Sequence, residues 1–188
     1  MAEHGTGESR ERKAIRAALF TALSVALGFL LAAVPNVELM TLSVFLAGIF
    51  CGPRAGILVG VVSESLFSLL NPLGPALPPL FAAQLVGFGL VGLAGGLLGP
   101  RLRPGRSGAV VASALAGFAL TLVYDTLTNA ATALIALGPR RMAEGLGGIF
   151  AAGALFMGIH VGVNTAVFAA AVVPVLRVAQ AWQKGGGR

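Results

Sequence analysis

Residues 108–137 contain a single charged side chain, Asp125, in an otherwise uncharged and mostly apolar run. A run of that length exceeds the ~20 residues a helix needs to cross the hydrocarbon core of a bilayer. In hydrocarbon every backbone N–H and C=O must be satisfied internally, so such a run folds as a helix, and neighbouring runs pack beside it as a bundle. A carboxylate near its middle costs at least ~3 kcal/mol on insertion scales. Asp125 therefore needs a partner or a task.

Five more apolar segments accompany this one, over residues 14–34, 39–51, 55–70, 79–99 and 146–175. The chain is 56% hydrophobic and 11% charged, against about 25% charged for a soluble domain, which makes it a polytopic membrane protein. The expected fold is all-α, a bundle of six transmembrane helices over residues 14–180. Polar tails at 1–13 and 181–188 flank it, the first read as disordered. The second segment is the shortest, and Gly52-Pro53 separates it from the third. The first segment has a basic flank, but its apolar stretch is longer than a signal peptide's and no small-x-small site follows, so it reads as a retained helix.

The net charge of +6 does not point to nucleic acid, because the basic residues lie between the apolar segments and form no face with interleaved aromatics. They point instead to topology. With the N-terminus inside, all 13 lysines and arginines except Arg140 and Arg141 fall on the cytoplasmic side, and both termini are cytoplasmic. Cys51, the one cysteine, excludes an intrachain disulfide and a cysteine metal cluster.

Given that orientation, the polar residues within the segments gather toward the outer leaflet. Asn36 and Glu38 end the first hairpin, Glu64 lies in the third segment, and Asn71 follows it. Gln84 lies in the fourth segment, and His160 and Asn164 lie four apart in the sixth. In the fifth, Thr121, Asp125, Thr128, Asn129 and Thr132 share one helical face. These faces can enclose a cavity opening outward, with the inner half sealed by alanine, glycine and leucine. Each residue also has a plainer role. Asp125 can simply bridge to His160, the threonines can bond their own backbone four residues back, and Asn36 and Glu38 can belong to an interfacial turn. The loop 71–79, stiffened by four prolines, is a candidate lid.

Gly87-Phe-Gly-Leu-Val-Gly92 matches G-x-G-x-x-G, but it follows no strand and continues as Gly92-x-x-x-Gly96 inside an apolar helix, which fits close helix packing. No Walker A motif and no H-E-x-x-H occurs, so nothing in the chain reads as an enzyme or a nucleotide hydrolase. Ala14, Ala18, Ala22 and Ala26 place a small residue at every fourth position of the first helix, which lets another helix approach closely.

These features together resemble the membrane-embedded substrate-binding subunit, the S component, of energy-coupling factor (ECF) transporters. The resemblance rests on the alanine series, on Phe50-Cys-Gly-Pro-Arg-Ala-Gly56 with Val59-Gly60, on Tyr124-Asp-Thr-Leu-Thr-Asn129, and on His160 with Asn164, in that order. It is similar to the branch that includes pantothenate and folate S components. The resemblance implies an outward-facing pocket for a vitamin or related micronutrient, reached by the polar residues above together with Tyr124. It implies no cofactor in this chain. It also implies partners, a transmembrane coupling subunit and two ABC ATPases, and toppling of the subunit in the membrane to release substrate inward. Ala18 and Ala22 best match the family's coupling contact. The cobalt and nickel members use an N-terminal Met-His segment, which Met-Ala-Glu-His does not match, so metal uptake is not expected. The residues alone leave two other readings, a proton-coupled secondary transporter using Asp125, Glu64 or His160, and a structural subunit without ligand. The expected location is a prokaryotic plasma membrane.

Overall fold

The computed structural model describes residues 10–71 and 74–185. Six α-helices follow one another: α1 (Arg10–Leu31), α2 (Met40–Cys51), α3 (Pro53–Leu69), α4 (Pro78–Leu98), α5 (Ala109–Leu137) and α6 (Met142–Gly185), with one 3-10 turn at Gly99–Arg101 and no strand among the described residues. Four of them, within Glu11–Leu31, Pro78–Arg101, Ala109–Leu137 and Met142–Gly185, are long and apolar enough to cross a membrane. The protein is a multi-pass membrane protein.

The expectation of six spanning helices is thus met in number of helices, with a correction for α3, whose 17 residues fall just short of a span, and a larger one for α2. Its 12 residues span about 18 Å, short of the ~30 Å hydrocarbon core. This helix is apolar on all sides and is surrounded by α1, α3, α4 and α6. Met40, Val44, Phe45 and Ala47 are almost wholly buried, as expected of a helix hydrophobic all round.

Backbone chemistry sets the helix boundaries. Pro53 and Pro78 stand at the first positions of α3 and α4, where a missing N–H is harmless. Gly52 between α2 and α3 has φ 90°, a conformation that favours glycine, so it turns the chain sharply without a longer loop. Arg10–Lys13 already belong to α1 and residues 181–185 to α6, while 1–9 and 186–188 lie outside the described residues. Pro174 sits inside α6 and leaves the carbonyl of Ala170 without its helical donor.

Glycine lets α2, α3 and α4 come together. A Cβ on Gly92 would strike the carbonyl of Gly56, one on Gly48 would strike that of Gly92, and one on Gly95 would strike that of Phe45. The G-x-G-x-x-G stretch in α4 is therefore helix-packing surface. Below the polar end of the bundle the interior is closed by Phe45 against Phe168, ring centroids 5.0 Å apart, with Val44, Val172 and Leu176. The seal expected from alanine, glycine and leucine is thus mainly phenylalanine and valine, because glycines are used where backbones cross and leave volume for larger side chains nearby.

Candidate binding site

The short connections make neighbouring helices antiparallel. The C-terminal ends of α1, α3 and α5 therefore meet the N-terminal ends of α2, α4 and α6. At that end lies a cavity of about 400 Å³, to which all six helices contribute. The volume falls within the ~300–1,000 Å³ typical of small-molecule sites.

The first wall comes from the α1–α2 connection. Asn36 adopts φ 58°, a left-handed conformation that asparagine tolerates, and the turn brings Glu38 over the start of α2. Glu38 Oε2 accepts the backbone N–H of Thr41 at 2.8 Å, a carboxylate at a helix N-terminus where dipole and free N–H groups favour it. Its Oε1 accepts from Asn164 Nδ2 at 2.9 Å. Burial pushes the Glu38 carboxyl up, but His160, Thr41 and Asn164 together outweigh this and hold it below the usual carboxylate range.

The opposite wall is the polar face of α5 against α6. His160 Nδ1 donates to Asp125 Oδ1 at 2.8 Å, and its Nε2 lies 3.7 Å from Glu38 Oε1. Tyr124 is held edge-on between Phe88 and His160, with centroid distances of 5.4 and 6.1 Å. Gly87 leaves room for the Tyr124 ring, which a Cβ there would meet. Asn129 Nδ2 and the hydroxyls of Thr128 and Thr132 bond backbone carbonyls in the preceding turn. Thr121 instead accepts from Asn164 Nδ2 at 3.1 Å.

Of the residues read from the sequence, the structure places Asn36, Glu38, Glu64, Gln84, Tyr124, Asp125, Asn129 and His160 on the cavity wall. Asn164 is fully buried and sits beneath the wall, where it ties Glu38 to Thr121. Asn71 does not line the cavity. It lines a neighbouring groove with Ser68, Pro75 and Gln84, because α3 ends at Leu69 and the chain has already turned away. The candidate lid falls partly on Pro72 and Leu73, outside the described residues, and its last two prolines already belong to α4. Arg140 and Arg141 are exposed and lie off the cavity.

The sequence reading missed Phe67, Phe88, Phe156 and Met157, all of which line the cavity. Each stands three or four positions from a polar wall residue, namely Glu64, Gln84 or His160, and so shares its helical face. That spacing was the available signal.

Several wall atoms lack partners. Glu64 Oε1, Asp125 Oδ2 and His160 Nε2 are buried without a hydrogen bond. Native proteins rarely leave such groups unmatched, and each one costs stability. Among the described residues no three His, Cys, Asp or Glu side chains converge to hold a metal ion. A cavity with a polar rim, aromatic walls, unmatched acceptors and a closed apolar base is the site of a membrane protein that binds a small molecule.

The chain belongs to a known family of that kind. A model of the ECF transporter substrate-specific component matches residues 12–177. This is a family of transporter binding subunits and not of enzymes, and it does not favour the reading as a stand-alone proton-coupled carrier. No curated protein and no solved structure matches the chain.

Proposed function

We propose that this protein captures a vitamin or vitamin precursor at the outer face of a prokaryotic plasma membrane. It then passes the molecule to a transmembrane coupling subunit driven by two ABC ATPases. The observation that carries this reading is the cavity itself. It opens at one end of the bundle, receives side chains from all six helices, and is closed at the other end by Phe45 and Phe168.

Charge supports the orientation. Apart from Arg140 and Arg141, the basic residues among the described ones belong to the end of the bundle opposite the cavity. The positive-inside rule turns that end to the cytoplasm, both termini with it, and the cavity outward. Partner contact belongs to α1, whose Ala14, Ala18, Ala22 and Ala26 are all exposed while Ser24 and Gly28 face the bundle. The resemblance to the pantothenate and folate branch rests on the order of motifs and concerns the scaffold.

The test is intact-mass analysis under native conditions of the full chain, purified alone and after co-expression with a coupling subunit and its ATPases. The expected results are a one-to-one small-molecule adduct on the isolated chain and a stable four-chain complex. A chain that carries no small molecule and joins no complex overturns the reading.

A further inference from the structure

Every acidic residue between Glu11 and Glu144 lines the cavity, and among the described residues no lysine or arginine does. The fold does not require this. Carboxylates taken from water are costly, and three in one cavity repel each other.

Their compensation is incomplete in a specific way. Glu38 is satisfied at both oxygens, by the Thr41 N–H and by Asn164. Asp125 is half satisfied, since His160 occupies Oδ1 and leaves Oδ2 bare. Glu64 Oε1 has no donor. Glu64 and Asp125 are only 1% and 6% exposed, so bulk water does not relieve them. An ionised carboxylate oxygen can be satisfied only by a donor. The lining holds no lysine or arginine, and its one ionisable base, His160, is already engaged, through Nδ1 with Asp125 and through Nε2, at 3.7 Å, with Glu38, so it has no contact left for Glu64 or for Asp125 Oδ2.

The rest of the wall is aromatic. Phe67, Phe88, Tyr124 and Phe156 border the same space. Ring faces carry partial negative charge and attract cations in a desolvated site, while they also pack against apolar surface.

We propose that the substrate is an organic cation, carrying a protonated amine or cationic ring nitrogen whose N–H groups reach Glu64 and Asp125, on an apolar or aromatic body that fills the space between the phenylalanines. This rests on the reading of the cavity as the substrate site and narrows it. A substrate with its own carboxylate, as pantothenate and folate have, would meet three acidic side chains with no lysine or arginine opposite. The likeness of scaffold to that branch therefore does not extend to ligand charge. An inorganic cation fits less well, because the acidic groups do not converge to a metal-binding set.

The experiment uses the full chain in detergent and a bacterial metabolite extract divided by ion exchange into cationic, neutral and anionic fractions. The cationic fraction is passed over a chelating resin, and adducts are read by native mass spectrometry. The expected result is an organic adduct from the cationic fraction alone. Glu64→Gln and Asp125→Asn, which keep shape and remove charge, each reduce its occupancy by at least ~10-fold. An adduct from the anionic or neutral fraction overturns the proposal, as does a bare metal mass or a cationic adduct that survives both substitutions. Either variant could fail to fold, and the comparison of fractions on the unaltered chain then decides alone. No adduct from any fraction overturns the reading of this cavity as the substrate site, and the charge assignment with it.

Discussion

Asn164 Nδ2 lies 2.9 Å from Glu38 Oε1, joining the middle of α6 to a connection 126 residues earlier in the chain. The same amide reaches Thr121 on α5. One buried side chain thus fixes the floor of the cavity to the turn that forms its rim. The floor is polar where the layer beneath it is phenylalanine and valine, so the cavity has a defined depth.

Replacing Asn164 with leucine should destabilise the protein by about 2 kcal/mol, because it leaves Glu38 and Thr121 short of a buried partner. The loss should depend on pH. Glu38 has a folded pKa below its ordinary 4.5, so its contribution is present above that value and fades as pH falls toward the lowered one. Thermal unfolding of both proteins at neutral and acid pH measures this, and a difference that is constant with pH would assign the cost to packing.

Asp125→Asn should keep the contact with His160, since the amide oxygen can still accept from Nδ1. The variant should fold with nearly unchanged thermal stability and bind its ligand at least ~10-fold more weakly, a loss of about 1.4 kcal/mol. Titration with whichever adduct the native protein carries measures it. Intact affinity would reduce the Asp125–His160 pair to a structural bridge.

Gly92 and Gly158 make a matched pair of helical glycines. A Cβ on Gly92 would strike the Gly56 carbonyl, whereas one on Gly158 has nothing within 4 Å. Gly92→Ala should force α3 and α4 apart at a cost of about 1–3 kcal/mol. Gly158→Ala should be neutral or stabilise by up to about 1 kcal/mol, from the helix preference of alanine. Melting temperatures in detergent give both values, and equal effects would mean the α3–α4 crossing has slack.

The helices were legible in the sequence because apolar length and proline mark them directly. Pro53 and Pro78 stand at the starts of α3 and α4, and the isolated Gly52 separates α2 from α3. The far end of α6 was not legible. Beyond Leu176 the helix continues through Arg177, Gln180 and Trp182, where helix propensity and not burial holds it, and hydropathy carries no signal for that. In the site, polar residues marked their own helical faces. Their apolar neighbours Phe67 and Phe156 were hidden among many similar residues, since a lipid-facing phenylalanine and a cavity-lining one are alike in composition. Asn71 was misplaced for the opposite reason. It is polar and near the right depth, but it stands beyond the end of α3 at Leu69, where helical spacing no longer sets its direction.

The last prediction concerns the outer face of α1. Ala14, Ala18, Ala22 and Ala26 are exposed, and between them stand the exposed side chains of Ile15, Leu19 and Leu23. The residues that hold α1 to the bundle lie on the other side, where Ser24 donates to Ser43 of α2 at 2.9 Å and Phe20 stacks on Phe50. The alanine groove is therefore not used inside the fold. Replacing Ala18 and Ala22 together with tryptophan should leave thermal stability and ligand binding of the isolated chain nearly unchanged. The cavity residues contributed by α1 begin at Gly28, more than a helical turn further on. If the groove receives a coupling subunit, two indoles fill the space a partner helix would occupy, and co-purification of the complex should fall to background. The decisive measurements are a ligand titration and a pull-down on the same double variant. A complex that still forms removes this face from the interface. Loss of ligand binding together with a lowered melting temperature would show that the groove supports the fold after all.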